Sequence, residues 1–368
     1  MAEHPTEAES SPRQPAASSP VPEQTAEQTP AEGSGEDFHG AEHWATLTGG
    51  NAPEDEDDAD SAVGEDTASS TESMSSSILH YRTMNGRTYH AERGNAHYWT
   101  PNDEHHSESM DMAHHLLSLS LEGKLHLAPL KDDIQTSIPT LKSPEPISPQ
   151  FSQAGFLRIS NCNSKPKPLS SPSNKPSEIE DCTQEWTFEP ESFDYVHMRY
   201  MYGSISDWNA LFREAYKACK PGGWCESFEA SPRMESDDGT VTEDCAINEW
   251  GKFFIEGGRK LNRTFEIIDK DLQQKGMEEA GFVDIKTWDH KAPIGDWPKD
   301  SRLKEIGQFA RATLEQDYEG YVMYMANIVL GWSREEVSLY CAQLRKEVRS
   351  GKFHPYYRQR VVYGRKPE

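Results

Sequence analysis

Two stretches of this chain sit where an α/β protein does its chemistry. Arg199 to Ser204 and Glu226 to Ala230 each follow a short apolar run. In a doubly wound fold a ligand lies just beyond the carboxyl ends of the parallel strands. A second candidate is a set of histidines, His105, His106, His114 and His115. Imidazoles are common zinc ligands, and the two pairs would fall about two and a half turns apart on one helix. No cysteine lies nearby, so no metal site is expected.

The elements that must position these residues follow from local pattern. Phe193-Asp-Tyr-Val-His-Met-Arg199 is aromatic and β-branched, as a buried parallel strand should be. Asp207 is placed to cap a helix whose apolar face is Trp208, Leu211, Phe212, Ala215 and Cys219, and Pro221-Gly-Gly223 is placed to stop it. A second strand, Trp224 to Phe228, completes a strand, helix, strand unit. Further on, Asp269 to Ala280 reads as a helix closed by Gly281 before a strand at Phe282 to Trp288. Ser333-Arg-Glu-Glu336 is a capping box at the head of a helix carrying Val337, Tyr340, Cys341, Leu344 and Val348. Arg360 to Tyr363 reads as a last strand, and helices around Leu303 to Leu330 as a roof in which Met323, Tyr324 and Met325 are core or pocket lining.

Several pieces in fixed order carry a resemblance. They are Arg87-Thr-Tyr-His90, Tyr98 with Pro101-Asn-Asp103, His114-His-Leu116 running into Gly123-Lys-Leu-His126, and Asp181-Cys-Thr-Gln-Glu-Trp186. The strand at Phe193, Gly203 with Asp207-Trp208, Lys220-Pro-Gly-Gly-Trp224, Pro293-Ile-Gly-Asp-Trp-Pro298 and Tyr363-Gly-Arg-Lys-Pro367 continue the series. Together they resemble the class I S-adenosylmethionine-dependent methyltransferases of the fungal LaeA-like group, over residues 79–130 and 179–368. The resemblance implies a Rossmann-like α/β sheet with flanking helices and a closing antiparallel hairpin. It also implies S-adenosylmethionine as methyl donor, a small-molecule acceptor, and a role in secondary metabolism.

The resemblance assigns roles residue by residue. Tyr98, Asn102 and Asp103 are candidates to meet the cofactor from above, with an aromatic packing residue and a Pro-Asn-Asp turn as the equal alternative. Asp181 and Cys182 match the adenine contact, and Arg199 and Gly203 should border the donor. Methyl transfer from a sulfonium is an in-line displacement, so alignment is the main task. If the acceptor is an oxygen or amine, Glu226 or His197 is the candidate to take its proton. Glu226, read as lying at a strand's carboxyl end, is the better placed.

One block departs from the pattern. The family needs a strand ending in an acid, a glycine loop that lets backbone amides approach the donor, and a second strand ending in a ribose-binding acid. Residues 131–178 instead carry Lys165-Pro-Lys-Pro168 and Ser171-Pro-Ser-Asn-Lys-Pro176, with Gly155 as their only glycine. Proline at this density removes amide donors and breaks helices. Only Gly155-Phe-Leu-Arg-Ile-Ser160 reads as a strand. The block is exchanged rather than shortened, as a shifted reading frame or misplaced splice boundary would produce. Without the family's first strand, mid-sheet, the strand at Phe193 is expected to present an unpaired edge. A catalytically inactive relative that acts by binding partners, or a defective product, is the alternative to an active enzyme.

Composition bounds the rest. The 368 residues carry a net charge of -25, and about 17 units of it lie in residues 1–78, where Glu54-Asp-Glu-Asp-Asp58 is the densest run and Arg13 the only base. Such a segment cannot bury enough apolar surface to offset its ordering entropy and reads as a disordered acidic tail that could dock basic protein partners. Residues 79–130 read as a helical cap, 131–178 as an aberrant or disordered segment, and 179–368 as the C-terminal part of the methyltransferase domain. The acidity argues against direct nucleic-acid binding. No run is apolar enough to span a membrane and no signal peptide is evident, so a cytoplasmic or nuclear location is expected. The six cysteines fall at no metal-type spacing and read as reduced, mostly buried thiols.

Overall fold

The computed structural model describes residues 38–48, 81–90, 99–130, 156–160 and 182–368. In chain order these form α1 (Ala41–Thr48), β1 (Tyr81–Met84), β2 (Arg87–His90), α2 (Glu104–Ser120), β3 (Phe156–Ser160) and β4 (Phe193–Arg199). Then follow α3 (Trp208–Ala218), β5 (Cys219–Glu235), α4 (Ala246–Lys260), α5 (Leu272–Ala280) and β6 (Val283–Pro293). The last third holds α6 (Ser301–Gln316), α7 (Tyr318–Met323), a π-helical turn at Tyr324–Val329, α8 (Arg334–Arg349) and β7 (Tyr356–Arg365).

Five strands make one sheet in the order β3-β4-β5-β7-β6. β4 and β5 run parallel, while β7 pairs antiparallel with both β5 and β6. The α3 connection makes the parallel pair possible. Asp207 caps α3 by accepting from the Ala210 amide, and Trp208, Leu211, Phe212, Ala215 and Ala218 are buried on one sheet face. α3 stops at Ala218, a turn before the Pro-Gly-Gly signal, because Cys219 to Gly223 already lie in the long β5. α5 closes over the same face, its Gly276 so near Phe212 that a methyl there would lie 2.4 Å from the ring.

The other face is covered by α2 and the helices that follow β6. Leu117 and Leu121 pack on Phe228 and Val361, and a larger core joins α4, α7, α8 and the π turn. Met323, Tyr324 and Met325 are all buried in that larger core. The capping box at Ser333 and Glu336 forms in both directions.

Two expectations are corrected. Part of the supposed tail is ordered: α1 buries Trp44 completely against Tyr340 of α8, because Phe38 and Trp44 supply the apolar surface the rest of the segment lacks. The outer edge of β4 is not left open either. β3 pairs with it antiparallel, from Phe156 opposite Arg199 to Ser160 opposite Tyr195. A row of strand N–H and C=O groups gains by any partner, and Phe-Leu-Arg-Ile-Ser is the one strand-forming run in its neighbourhood of the sequence.

Candidate functional site

The carboxyl end of β4 turns sharply. Tyr200 adopts a left-handed backbone with φ 53°, a conformation that is an outlier for a bulky residue and costs of order 1–3 kcal/mol. Glu229 of β5 holds the turn: its carboxylate accepts from the backbone amides of Met201 (3.0 Å) and Tyr202 (3.1 Å) and is wholly buried. Burial raises that carboxyl to about 8 against the opposing pull of the two amides. Gly203 follows with φ 72°, and a methyl group there would lie 2.1 Å from the Phe265 ring. The turn is therefore fixed by strain, a buried acid and a glycine that admits an aromatic ring.

Glu226 does not lie at a strand's end. β5 continues to Glu235, so Glu226 is mid-strand, fully buried, and its Oε2 accepts from the amides of Leu127 (2.8 Å) and Ala128 (2.6 Å). Burial pushes its carboxyl up to about 7, with those amides and the Tyr195 hydroxyl pulling the other way. His197 is in register with it on β4, Nε2 standing 3.8 Å from Glu226 Oε1, and its ring stacks on Tyr195. Glu226 thereby pins the segment that leaves α2 to the sheet.

The remaining candidates separate. Arg199 lies at the end of β4 and reaches His114 Nδ1 at 3.1 Å. Asn102 sits in the turn before α2, its amide donating to the Thr88 carbonyl at 2.8 Å and its Oδ1 buried without a partner among the described residues. Asp103 caps α2 through the His106 amide and pairs with Arg87, which also holds Asp317 at 2.8 and 2.9 Å. Burial pushes Asp317 upward, but hydrogen bonds from Arg87 and His106 outweigh it and hold the carboxyl below the usual range. Asp103 thus belongs to a knot that ties β2 and α2 to α7. Cys182 is half-buried beside the α3 core, its carbonyl accepting from the Trp186 indole at 3.2 Å. Tyr98 and Asp181 lie outside the described residues.

The four histidines of α2 do not converge on one point, and His105 Nε2 stands 3.8 Å from Asp317 Oδ1. His106 binds Asp317, His115 packs edge-on to Phe309, and His114 meets Arg199. Among the described residues no group of three or more His, Cys, Asp or Glu side chains is placed to share a metal ion. Described cysteines are free thiols, four of the five buried. No helix among the described residues is long and apolar enough to cross a membrane.

A family model described as a methyltransferase domain matches residues 144–285. Methyltransferase pytC of Aspergillus terreus is 33% identical over 306 residues, covering 82% of this chain and 93% of its own. The chain belongs to the LaeA-like methyltransferases of fungal secondary metabolism. A probable methyltransferase, tdiE of Emericella nidulans, is 30% identical over 71% of this chain and 82% of that one, and the secondary metabolism regulator LAE1 of Cochliobolus heterostrophus is 26% identical over 77% and 94%. The family's cofactor is S-adenosylmethionine, and its Rossmann-like sheet is the one described above.

The residues present fit only one side of that cofactor's place. The turn from Arg199 to Gly203 is built. Opposite it the family sets a parallel strand whose carboxyl end opens into a glycine loop. Here β3 is antiparallel, so its carboxyl end, Ser160, lies beside Tyr195 at the far end of β4 from Gly203. No glycine occurs between Ser160 and Asp181. The direction of β3 and the sequence that follows it therefore differ from the family's strand and glycine loop.

Four residues that organise the site were not singled out from sequence: Glu229, Tyr200, Gln359 and His290. Glu229 and Tyr200 lie inside the two stretches named at the outset. Gln359 and His290 are brought to the site only by the antiparallel pairing of β6 and β7.

Proposed function

We propose that this protein serves fungal secondary metabolism by holding a small organic methyl acceptor on an aromatic shelf formed by Tyr200, Tyr202, Trp288 and Tyr357. The observation that carries this reading is the strained Tyr200 turn, braced by a wholly buried acid at the end of the parallel strand pair where such folds bind ligands. In the family S-adenosylmethionine supplies the methyl group. In this chain the steps that follow from its own residues are those of the acceptor: stacking on aromatic rings and exclusion of water. Glu226 is a positioning residue in this reading, since it fastens the α2 exit segment to the sheet, and His197 stands beside it. Tyr98, Asn102, Asp103, Asp181, Cys182, Arg199 and Gly203 frame the donor side by resemblance, and Arg199 and Gly203 are the two that flank the shelf.

The test is retention of metabolites. Small-molecule extract of a fungal culture is passed over the immobilised full chain and over Tyr200→Ala, and eluates are compared by mass spectrometry. Retention of an aromatic compound by the wild type and not by the variant supports the shelf; equal retention by both sinks it. Adding methyl-labelled S-adenosylmethionine then shows whether the retained compound is methylated.

A second reading is favoured by the reversed β3. A chain with an acceptor shelf and no glycine cradle fits a non-catalytic relative, and the similar LAE1 is described as a regulator. In that reading the acidic segment before α1 recruits protein partners in the cytoplasm or nucleus. Specific co-purification of a partner lost on deleting residues 1–37 supports it.

A further inference from the structure

A polar niche lies next to the shelf, on the sheet face shared by β6 and β7. Gln359 of β7 is wholly buried, with Nε2 3.0 Å from the Tyr357 hydroxyl and 3.3 Å from the Tyr200 hydroxyl. Its Oε1 is buried with no partner among the described residues. His290 of β6 is in register with Gln359, so the two side chains share a face. Nε2 of His290 is likewise buried without a partner among the described residues, and its ring stacks on Trp288 at 5.3 Å and 16°. Turning the Gln359 amide over exchanges its oxygen and nitrogen but still leaves one end unmatched.

Each buried polar atom left unpaired costs about 1–3 kcal/mol. Two such atoms in neighbouring register positions, beside the hydroxyl of Tyr200 with its left-handed backbone, are an expensive arrangement for a fold to keep idle. What satisfies both is a group that donates one hydrogen and accepts another. Burial lowers the affinity of His290 for a proton, with Arg302 acting the same way, so the imidazole is neutral and can supply one N–H. A hydroxyl meets the need: it donates to Gln359 Oε1 and accepts from His290 Nε2. Trp288, Tyr200 and Phe228, the last 5.8 Å from Tyr200 ring to ring, give the hydroxyl's carrier flat apolar walls.

We propose that Gln359 and His290 are specificity-determining residues that bind the hydroxyl of a neutral aromatic alcohol or phenol, with Trp288 and Tyr200 against its ring. The assignment rests on the acceptor reading above and narrows it to one class of molecule.

Isothermal titration of the full chain with 2-naphthol and with 2-methoxynaphthalene tests it, since the two probes differ at the hydroxyl alone. The wild type is expected to bind 2-naphthol about tenfold to a hundredfold more tightly, the factor for losing a buried hydrogen bond at such a site. Gln359→Leu and His290→Phe each erase that preference while leaving the ether's affinity unchanged. His290→Phe keeps the stack on Trp288 and serves where Gln359→Leu lowers the thermal midpoint too far. Equal binding of both probes by the wild type overturns the niche and leaves the shelf standing. A wild-type preference retained by both variants overturns the niche as well. Binding of neither probe removes the shelf and the niche together.

Discussion

The two flanks of β4 were built by different rules. On its inner side, β5 runs parallel, its register is fixed by α3, and every residue of the turn that follows has a structural partner. On its outer side, β3 pairs in the opposite sense and belongs to a block of prolines and serines. Satisfying a strand edge needs only a few apolar residues with free amides. The family's cofactor site needs a direction and a glycine loop, whereas β3 runs the other way and no glycine lies between Ser160 and Asp181. Pairing a sheet and furnishing a site are thus separate demands.

The largest effect that would break this contrast concerns the donor. The full chain should show no heat and no thermal shift with S-adenosylmethionine or its demethylated product. A chimera carrying the matching block of pytC in place of residues 131–180 should bind, and at a hundredfold excess over Kd should gain about 2.7 kcal/mol of stability. Tight binding by the unaltered chain would refute the account of the outer flank. Cysteines placed at Arg158 and His197, paired in the antiparallel register, should cross-link, whereas a parallel strand would not bring them together.

Next in size is the knot of Arg87, Asp103, His106 and Asp317. Asp317→Asn weakens both Arg87 contacts and the His106 bond, and denaturant unfolding should show a loss of about 3–5 kcal/mol, as for other broken buried pairs. Glu226 and Glu229 come third. Both have folded pKa values above the ordinary carboxylate value, so the folded state holds their protons more tightly than the unfolded one. Their contribution is therefore complete at acid pH and is lost as pH rises from about 4.5 through about 7 and 8. For Glu226 that loss is on the order of 3 kcal/mol, and Glu226→Gln should remove this share of the pH dependence while leaving that of Glu229. The smallest change is Gly203→Ala, expected to cost about 2 kcal/mol through the Phe265 clash and the left-handed backbone. A neutral Gly203→Ala would mean that the turn is looser than the geometry says.

The inner flank was largely legible in the sequence. Phe193 to Arg199 reads as a strand to the residue, and the Asp207 cap, Gly281 stop and Ser333 box all form, since each is set by neighbours a few positions away. What local pattern does not carry is long-range register. Glu226 looked terminal because Trp224 to Phe228 reads as a short strand, but pairing with β7 carries β5 on to Glu235. The direction of β3 and the meeting of Gln359 with His290 are likewise products of the sheet. Asp103 read as a turn residue near a cofactor, and its carboxylate is taken by Arg87, sixteen positions earlier.

The knot also sets an order of events during synthesis. Arg87 and Asp317 are 230 positions apart, so the guanidinium waits for its second carboxylate until most of the polypeptide has left the ribosome. At about 5–20 residues per second the interval is about 12–46 s. Through that time Arg87 has only Asp103, and the β1–β2 hairpin and α2 lack the carboxylate that ties them to α7. A nascent chain stalled before Asp317 would carry this cap undocked, exposed to chaperones and proteases that the finished protein no longer meets.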